Sequence, residues 1–186
     1  GHLSFALALE LFETGVWEAL SPERPLRYLR LVEFASGGGP LTSSRLRVDE
    51  RIVSLIKGLN YLDERLAQQL IPLRAPNIDL PPSHADLVQR VVLRALSTER
   101  QGLPSIVRLA GEDLLARRQI ALGACRALGL TPFRLGVDAL PESAAELELL
   151  SRLWQREHRL LPLALYIEVA GGEHAQRLPQ LLRFLE

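Results

Sequence analysis

The chain has 186 residues, of which 47% are apolar and 24% charged, and its 22 basic and 22 acidic side chains cancel. This composition is typical of a globular protein with a buried core, and a net charge of zero argues against a strongly basic nucleic-acid binder. The single cysteine, Cys125, excludes a disulfide framework, and we interpret it as a small buried side chain in a reducing compartment. Because no apolar run reaches the roughly 18 residues of a membrane span, we expect a cytoplasmic protein without a membrane partner.

Residues 1–71 predict a small domain in which helices surround a two-stranded hairpin. The run Leu3–Glu13 is apolar nearly all round, which predicts a buried helix. The stretches Pro25–Ala35 and Leu41–Val48 predict two strands that pair across the glycine turn Ser36–Pro40. Helices with such a short wing are consistent with a winged-helix domain, a fold that often enters the DNA major groove through one helix.

Two further helices complete this first segment. Asp49 is a plausible N-cap for a helix over Asp49–Asn60, and a second helix is expected over Leu62–Leu70. The apolar spacing predicts one buried stripe on each helix: Ile52, Ile56 and Leu59 on the first, and Leu62, Leu66 and Leu70 on the second.

Arginines around the wing raise the question of nucleic-acid binding. Five of them could form a basic face: Arg24, Arg27, Arg30, Arg45 and Arg47. The helix that would enter a groove carries Asp49, Glu50, Arg51 and Lys57, so it lacks the basic stripe that phosphate contacts require. We interpret the arginines as solvated charges on a small sheet, with a protein-binding surface and DNA contact as the alternatives.

A proline-rich stretch then predicts a linker over residues 72–82, because four prolines between Ile71 and His84 remove backbone donors and block helix. Residues 83–186 follow as a second domain. Ser83 is expected to cap its first helix, and one face of that helix is expected to be buried through Leu87, Val88, Val91, Val92 and Ala95.

The rest of this second segment alternates apolar strands with helices, which is typical of a parallel sheet with crossover helices. The pattern predicts three adjacent strands, over residues 104–110, 132–137 and 163–169. Crossover helices are expected over residues 112–128 and 144–160, the second with a capping box of Ser143 and Glu146, and a further helix follows Gln176. The fold class is therefore α/β.

The strand–turn–helix around Gly111 is the setting of a phosphate-binding loop, whose pattern is GxxxxGK[ST]. With Gly111 as the first glycine, the second falls on Ala116, the lysine on Arg117 and the magnesium-binding hydroxyl on Arg118. Three of the four defining positions have therefore lost the chemistry that wraps phosphates and holds a metal. We interpret this stretch as a degenerate Walker A remnant.

The acidic strand end that would complete such a site is also reduced, because Glu168 is followed by Val169 instead of a second acid. Glu112 and Asp113 already occupy the first turn of the helix, where they would repel a phosphate. Weak nucleotide binding at this helix start is the alternative. We expect no catalytic residue, no metal and no cofactor, and Glu168 is the Walker B remnant. The histidines His84, His158 and His174 have no ligand spacing.

Three stretches carry a resemblance to a known family: "RVDERI…GLNYLDERL" (residues 47–66), "LAGEDLLARRQIALGACRALGL" (residues 109–130) and "ELELLSRLWQREHRLLPLALYIE" (residues 146–168). The chain resembles the N-terminal region of bacterial AAA+ ATPases that are associated with extracellular contractile injection systems. The resemblance implies a winged helix, a proline-rich link and a decayed AAA-like module, with an active AAA+ module further along a longer chain. It implies an accessory role through protein partners or neighbouring subunits. The family's ATPase residues do not carry over, because the matching positions are substituted here.

Overall fold

The structure is a computed structural model, and it describes residues 4–12, 16–35, 40–76, 80–101, 105–169 and 177–185. Mixed α/β structure is present, as the sequence predicts. The first segment contains these elements: α1 (Phe5–Leu11), α2 (Val16–Ala19), α3 (Pro25–Tyr28), β1 (Val32–Phe34), β2 (Leu46–Val48), α4 (Glu50–Ile56) and α5 (Glu64–Ala67). The second contains the others: β3 (Ile71–Pro72), α6 (Pro82–Glu99), α7 (Leu114–Leu128), β4 (Thr131–Gly136), α8 (Ala144–Leu160), β5 (Leu163–Glu168) and α9 (Leu178–Leu185).

The expected hairpin is present but shorter than its sequence pattern. β1 and β2 pair antiparallel, with Val32 opposite Val48 and Phe34 opposite Leu46. The prediction of a strand from residue 25 is wrong, because Pro25 begins the short helix α3, where its fixed φ suits the first turn. Residues 41–43 likewise form a 3-10 turn ahead of β2. Of the predicted glycine turn, residues 36–39 lie outside the described residues.

Helix α1 is buried on one face only, which corrects the expectation of a fully buried helix. Phe5 and Ala8 are buried, and the Phe5 ring lies 5.0 Å from the Trp17 ring and 5.7 Å from the Phe34 ring between centroids. The outer face keeps three leucines exposed: Leu7, Leu9 and Leu11. Among the described residues, α1 therefore buries only the face that carries Phe5 and Ala8.

Helices α4 and α5 differ in how well the apolar pattern describes them. The Asp49 N-cap is confirmed, since its side chain accepts a hydrogen bond from the Arg51 backbone N–H. The buried stripe on α4 is wrong, because Ile56 and Leu59 are exposed and the buried side chain of the helix is Arg51. The stripe on α5 is confirmed by the burial of Leu66 and Leu70, against which Leu62 packs.

The proline-rich stretch begins inside a sheet. Ile71 and Pro72 pair antiparallel with β4, and the Leu73 N–H donates to the Pro132 carbonyl at 3.0 Å. A proline is tolerated there because β3 is an edge strand. At the other end of the stretch α6 begins at Pro82 after Pro81, so the expected Ser83 cap is wrong and Ser83 lies in the first turn. The division of the chain into two domains stays a prediction.

The three-stranded sheet has the order β3-β4-β5, and β4 and β5 are parallel, with α8 as the connection between them. This part of the predicted sheet is confirmed. The strand expected over residues 104–110 is wrong for its described part, since Ser105–Ala110 belongs to no sheet and Ile106 is exposed. A strand needs a partner, and the second edge of β4 is already taken by β3.

One buried apolar cluster joins the two segments: Leu66, Leu70, Leu135, Val137, Leu140, Leu147, Leu150, Leu153 and Phe184. The members from α5, α8 and α9 pack together with Leu135 of β4, and Leu165 and Ile167 of β5 pack against them. Helix α5 therefore shares a core with the parallel strands. Burial of each such leucine contributes about 1.5–3 kcal/mol relative to exposure.

Helices α6 and α7 pack against each other beside this core. The glycine at position 123 permits a close approach, because a Cβ there would lie 2.9 Å from a Val88 methyl carbon. The predicted inner face of α6 is half-buried at Val88, Val91, Val92 and Ala95, whereas Leu87 is exposed. Within the described ranges, no helix combines the length and apolarity needed to cross a bilayer.

Candidate functional site

The start of α7 is already capped from within the chain. Asp113 is its N-cap, and its side-chain Oδ1 accepts a hydrogen bond from the Ala116 backbone N–H at 3.0 Å. A phosphate that binds at a helix start accepts hydrogen bonds from the backbone N–H groups of the first turn, which have no partner within the helix. At the predicted loop, Asp113 therefore takes a donor that a phosphate would need, and its carboxylate adds negative charge at the same place.

The structure brings two of the predicted remnants together. Arg118, at the position of the metal-binding hydroxyl, donates through Nη2 to both carboxylate oxygens of Glu168, at 2.9 and 2.8 Å. Arg134 of β4 donates through Nη1 to Glu168 Oε2 at 3.0 Å. We call Arg118, Arg134 and Glu168 the strand-end cluster. Its one carboxylate is engaged by two guanidinium groups at the carboxyl end of β5.

The electrostatics of this cluster keep Glu168 ionised. Burial alone would raise the pKa of Glu168, but the hydrogen bonds from Arg118 and Arg134 outweigh it and hold the pKa below its usual value. The pKa of neighbouring Tyr166 is raised, first by burial and then by the Glu168 charge. A carboxylate with a lowered pKa and occupied lone pairs is a poor general base. The arrangement therefore holds α7 against the sheet and offers little to a nucleophilic water.

The remaining candidate residues do not converge on a site. In the described part of the chain, no group of three or more His, Cys, Asp or Glu side chains could hold a metal ion. The His158 ring stacks on Trp154 of the same helix, and His174 lies outside the described residues. Cys125 is half-buried in α7, and burial raises the pKa of its thiol, so the thiolate nucleophile is disfavoured.

Sequence reasoning missed a second arginine–carboxylate cluster, which we call the ionic core. It joins α4 and α5 of the first segment to α8 of the second. Its six members carry three positive and three negative charges, so their sum is zero: Asp49, Arg51, Asp63, Arg65, Arg156 and Glu157. The side chains of Arg156 and Glu157 are 1% and 0% exposed, so these charges lie in the protein interior.

Two Asp-Glu-Arg tripeptides, residues 49–51 and 63–65, build the first half of the ionic core. Each aspartate is the N-cap of its helix and accepts the backbone N–H of the arginine two residues on. Arg65 also bridges the two caps through Nη2, at 2.9 Å from Asp49 Oδ2 and 2.5 Å from Asp63 Oδ2. The same aspartates thus begin the helices and supply the carboxylates of the cluster.

Helix α8 supplies the second half of the ionic core. Arg156 forms ion pairs with Asp63, with Asp49 at 3.3 Å and with its neighbour Glu157 at 3.1 Å. Glu157 accepts from Arg51 Nε at 3.1 Å through its other oxygen. Because every charge here has an opposite partner, the desolvation of the group is compensated, whereas removal of one member would leave buried charge unpaired.

The pKa shifts within the ionic core follow these contacts. Burial would raise the pKa of Asp63, but its hydrogen bonds from Arg65 and the charges of Arg65 and Arg156 leave it below its usual value. The hydrogen bond to Asp63 in turn raises the pKa of Arg65. These two shifts favour the ionised forms of Asp63 and Arg65, which is consistent with a structural role for the ion pair that they form.

A sequence signal for the ionic core existed. The Asp-Glu-Arg tripeptide occurs twice within residues 47–66, and each copy lies at the start of a helix. Its partners carried no comparable signal, because Arg156 and Glu157 sit among other charges on α8 and charged residues are mostly solvated.

The wing arginines do not form one basic face. Arg24 pairs with Glu18, Arg30 pairs with Glu33 at 2.5 Å, and Arg51 is buried in the ionic core. Arg45 and Arg47 are exposed. The charges of this region are therefore partly neutralised by neighbouring carboxylates.

A cleft of about 480 Å³ lies between the wing and the first turns of α8. It is lined by side chains of α3, β1, α8 and the turn between α3 and β1: Arg27, Arg30, Val32, Glu33, Phe34, Ala145, Glu148, Leu149 and Arg152. Its volume falls in the range of about 300–1,000 Å³ that is typical of ligand sites.

Comparisons of the chain with protein-family models, with curated proteins and with solved structures find no match. The functional conclusion therefore depends on the geometry of the strand-end cluster, the ionic core and the cleft.

Proposed function

We propose that the chain is a non-catalytic interaction module that docks a larger AAA+ ATPase onto a protein partner or onto neighbouring subunits. In this proposal the first segment is a winged-helix-like domain and the second a degenerate AAA-like domain. The observation that carries it is the bond between Arg118 and Glu168. In this proposal, a guanidinium at the position predicted for the metal-binding hydroxyl is bound to the acid at the end of β5 and stands in place of the groups that would hold magnesium.

Exposed apolar side chains support a role in protein contact. Leu7, Leu9, Leu11, Phe12 and Trp17 are exposed within a short stretch at the start of the described chain. Aromatic and leucine side chains on a surface lose contact with water when a partner covers them, and tryptophan is enriched among residues that dominate interface energies.

Nucleic-acid binding by the winged helix is the second candidate, and the exposure of Arg45 and Arg47 favours it. Against it stand the burial of Arg51 and the pairing of Arg24 and Arg30 with glutamates. A duplex gains affinity from several free cations along one face, and glutamates neutralise two of the five wing arginines. A band shift with sub-micromolar affinity at physiological salt would favour the nucleic-acid candidate over the interaction module.

In-cell photo-crosslinking tests the interaction module directly. A photoreactive phenylalanine analogue replaces the exposed Trp17, and a matched analogue replaces Glu99 at the end of α6 as a control for random collision. In the cells that make the protein, we expect discrete protein adducts from position 17 that are weak or absent from position 99. Equal, diffuse labelling from both positions would contradict the proposal.

A further inference from the structure

We propose that the cleft between the wing and α8 binds a partner segment that carries a carboxylate beside an aliphatic side chain. This inference rests on the proposed function, and it assigns to the interaction module the chemistry of one contact. The cleft contains three arginines and two glutamates, Glu33 and Glu148, which leaves one positive charge in excess.

The excess charge belongs to Arg27. Arg30 pairs with Glu33 and Arg152 pairs with Glu148, whereas Arg27 pairs with no carboxylate among the described residues. Its guanidinium carbon lies 4.8 Å above the centre of the Phe34 ring, and its only hydrogen bond in that part of the chain is a long one, 3.4 Å, to the Leu20 carbonyl. A half-buried guanidinium with donors to spare suits an incoming carboxylate.

Apart from the three arginines and the two glutamates, the residues that line the cleft are apolar. Val32 and Phe34 come from β1, and Ala145 and Leu149 come from α8. An aliphatic side chain that contacted these four residues would bury apolar surface, while the neighbouring carboxylate faced Arg27. Apolar lining with a few placed polar groups is the usual composition of a ligand site.

One residue that lines the cleft, Arg30, is bonded to the ionic core. Arg30 has φ +54, which is an uncommon backbone conformation for a residue other than glycine. Arg156 of the ionic core donates through Nη1 to the Arg30 carbonyl at 3.3 Å. On the opposite wall, the Arg152 guanidinium carbon lies 4.7 Å above the centre of the Tyr28 ring. The positive groups are therefore held in place before a ligand arrives, which lowers the entropy lost on binding.

The test is an NMR titration of the whole chain with N-acetyl-leucine, and N-acetyl-leucinamide is the matched neutral probe. We expect saturable shifts at the Val32–Phe34 amides with the acid, and affinity at least about tenfold weaker with the amide, since a charge-assisted hydrogen bond is lost. Arg27→Gln should remove the difference between the two probes. Arg45→Gln, on an exposed arginine outside the cleft, should leave it unchanged.

A second pair of variants tests the cleft independently, so that the result does not depend on whether Arg27→Gln folds. Ala145 is exposed in the first turn of α8, where an acidic side chain is compatible with the helix. Ala145→Glu places a carboxylate in the cleft and should abolish binding of the acid, whereas Ala145→Gln should retain it. Equal binding of acid and amide, an absence of saturable shifts, or undiminished acid binding by folded Arg27→Gln or Ala145→Glu would overturn the assignment.

The two proposals fail in different ways. If crosslinks from position 17 are found and the titration fails, the assignment of the cleft falls and the interaction module stands. If the titration succeeds and the crosslinks are absent, the carboxylate site stands and the interaction module falls.

Discussion

The ionic core and the strand-end cluster are both made of arginines and carboxylates, yet they differ in depth and in charge balance. In the ionic core, Arg156 and Glu157 are 1% and 0% exposed, and three positive charges meet three negative ones. In the strand-end cluster, Arg118 and Arg134 are 27% and 35% exposed, and two positive charges meet one negative charge.

This difference separates a cluster with a structural role from a cluster that the sequence predicts to be the remnant of a binding site. A buried, neutral cluster cannot bind a ligand without losing one of its own pairs, so the ionic core acts on the fold. The strand-end cluster contains two positions that the sequence predicts as remnants of a nucleotide site, and its partly solvated ion pairs contribute less to stability than buried ones. The same residue types therefore join α4 and α5 to α8 in the ionic core, and join α7 to β4 and β5 in the strand-end cluster.

The largest effect is expected from breaking the ionic core. Arg156→Met removes a cation that pairs with Asp49, Asp63 and Glu157. Two arginines, Arg51 and Arg65, then face three carboxylates, so one negative charge is left in excess. We expect the free energy of unfolding to fall by about 3–5 kcal/mol, measured by urea denaturation.

The control for this variant is Arg159→Met, because Arg159 is exposed on the same helix. It should change the free energy of unfolding by less than about 0.5 kcal/mol. Equal losses in the two variants would show that the ionic core contributes no more than a surface charge.

The pH dependence of stability sharpens the comparison. Because the pKa of Asp63 is lowered in the folded state, the stability it contributes is fully present above the ordinary aspartate pKa of about 4 and is lost as the pH falls through the folded pKa. In Arg156→Met, protonation of a carboxylate instead removes the excess negative charge of the ionic core.

We therefore expect the gap in unfolding free energy between the natural chain and Arg156→Met to narrow from about pH 7 to about pH 3. Denaturant titrations at several pH values measure it. If this difference in unfolding free energy stays constant from about pH 7 to about pH 3, the carboxylates of the ionic core do not determine it.

A smaller effect is expected at the strand-end cluster. Glu168→Gln removes the charge that holds Arg118 and Arg134, and partial solvation of both arginines limits the loss to about 1 kcal/mol. Glu148→Gln, which breaks the more exposed pair with Arg152, should cost less than this on the same denaturation curve. A loss at Glu168 as large as that at Arg156 would erase the distinction between the two clusters.

Periodicity and turn chemistry predicted much of the second segment. α7, α8, β4 and β5 were expected from alternating apolar runs, and local pattern suffices for such elements because their burial repeats along the chain. The sequence pattern does not predict β3, because a proline such as Pro72 normally interrupts a strand, although an edge strand tolerates it. The run at Ile106 was misjudged because pairing depends on which edges are free, a property of the whole sheet.

The candidate site was predictable only in part, because a motif shows which residue types are present but not which of them meet in the fold. The substitutions at Arg117, Arg118 and Glu168 could be interpreted from a motif, but the bond between Arg118 and Glu168 spans 50 residues of sequence. The ionic core lay further out of reach, because Arg51 and Glu157 are 106 residues apart and charged residues are expected on the surface. Only the repeated Asp-Glu-Arg tripeptide pointed to it.

We propose that the predicted degenerate loop over residues 111–118 does not bind nucleotide, and isothermal titration of ATP with Mg²⁺ into the chain tests this most directly. Arg118 and Glu168 neutralise each other, and Asp113 occupies the Ala116 N–H, so several charge-assisted contacts of about 1.5–3 kcal/mol each are lost. The account predicts no saturable heat up to about 1 mM ATP. A saturable isotherm with a Kd below about 10 μM, abolished by Arg117→Ala, would contradict it.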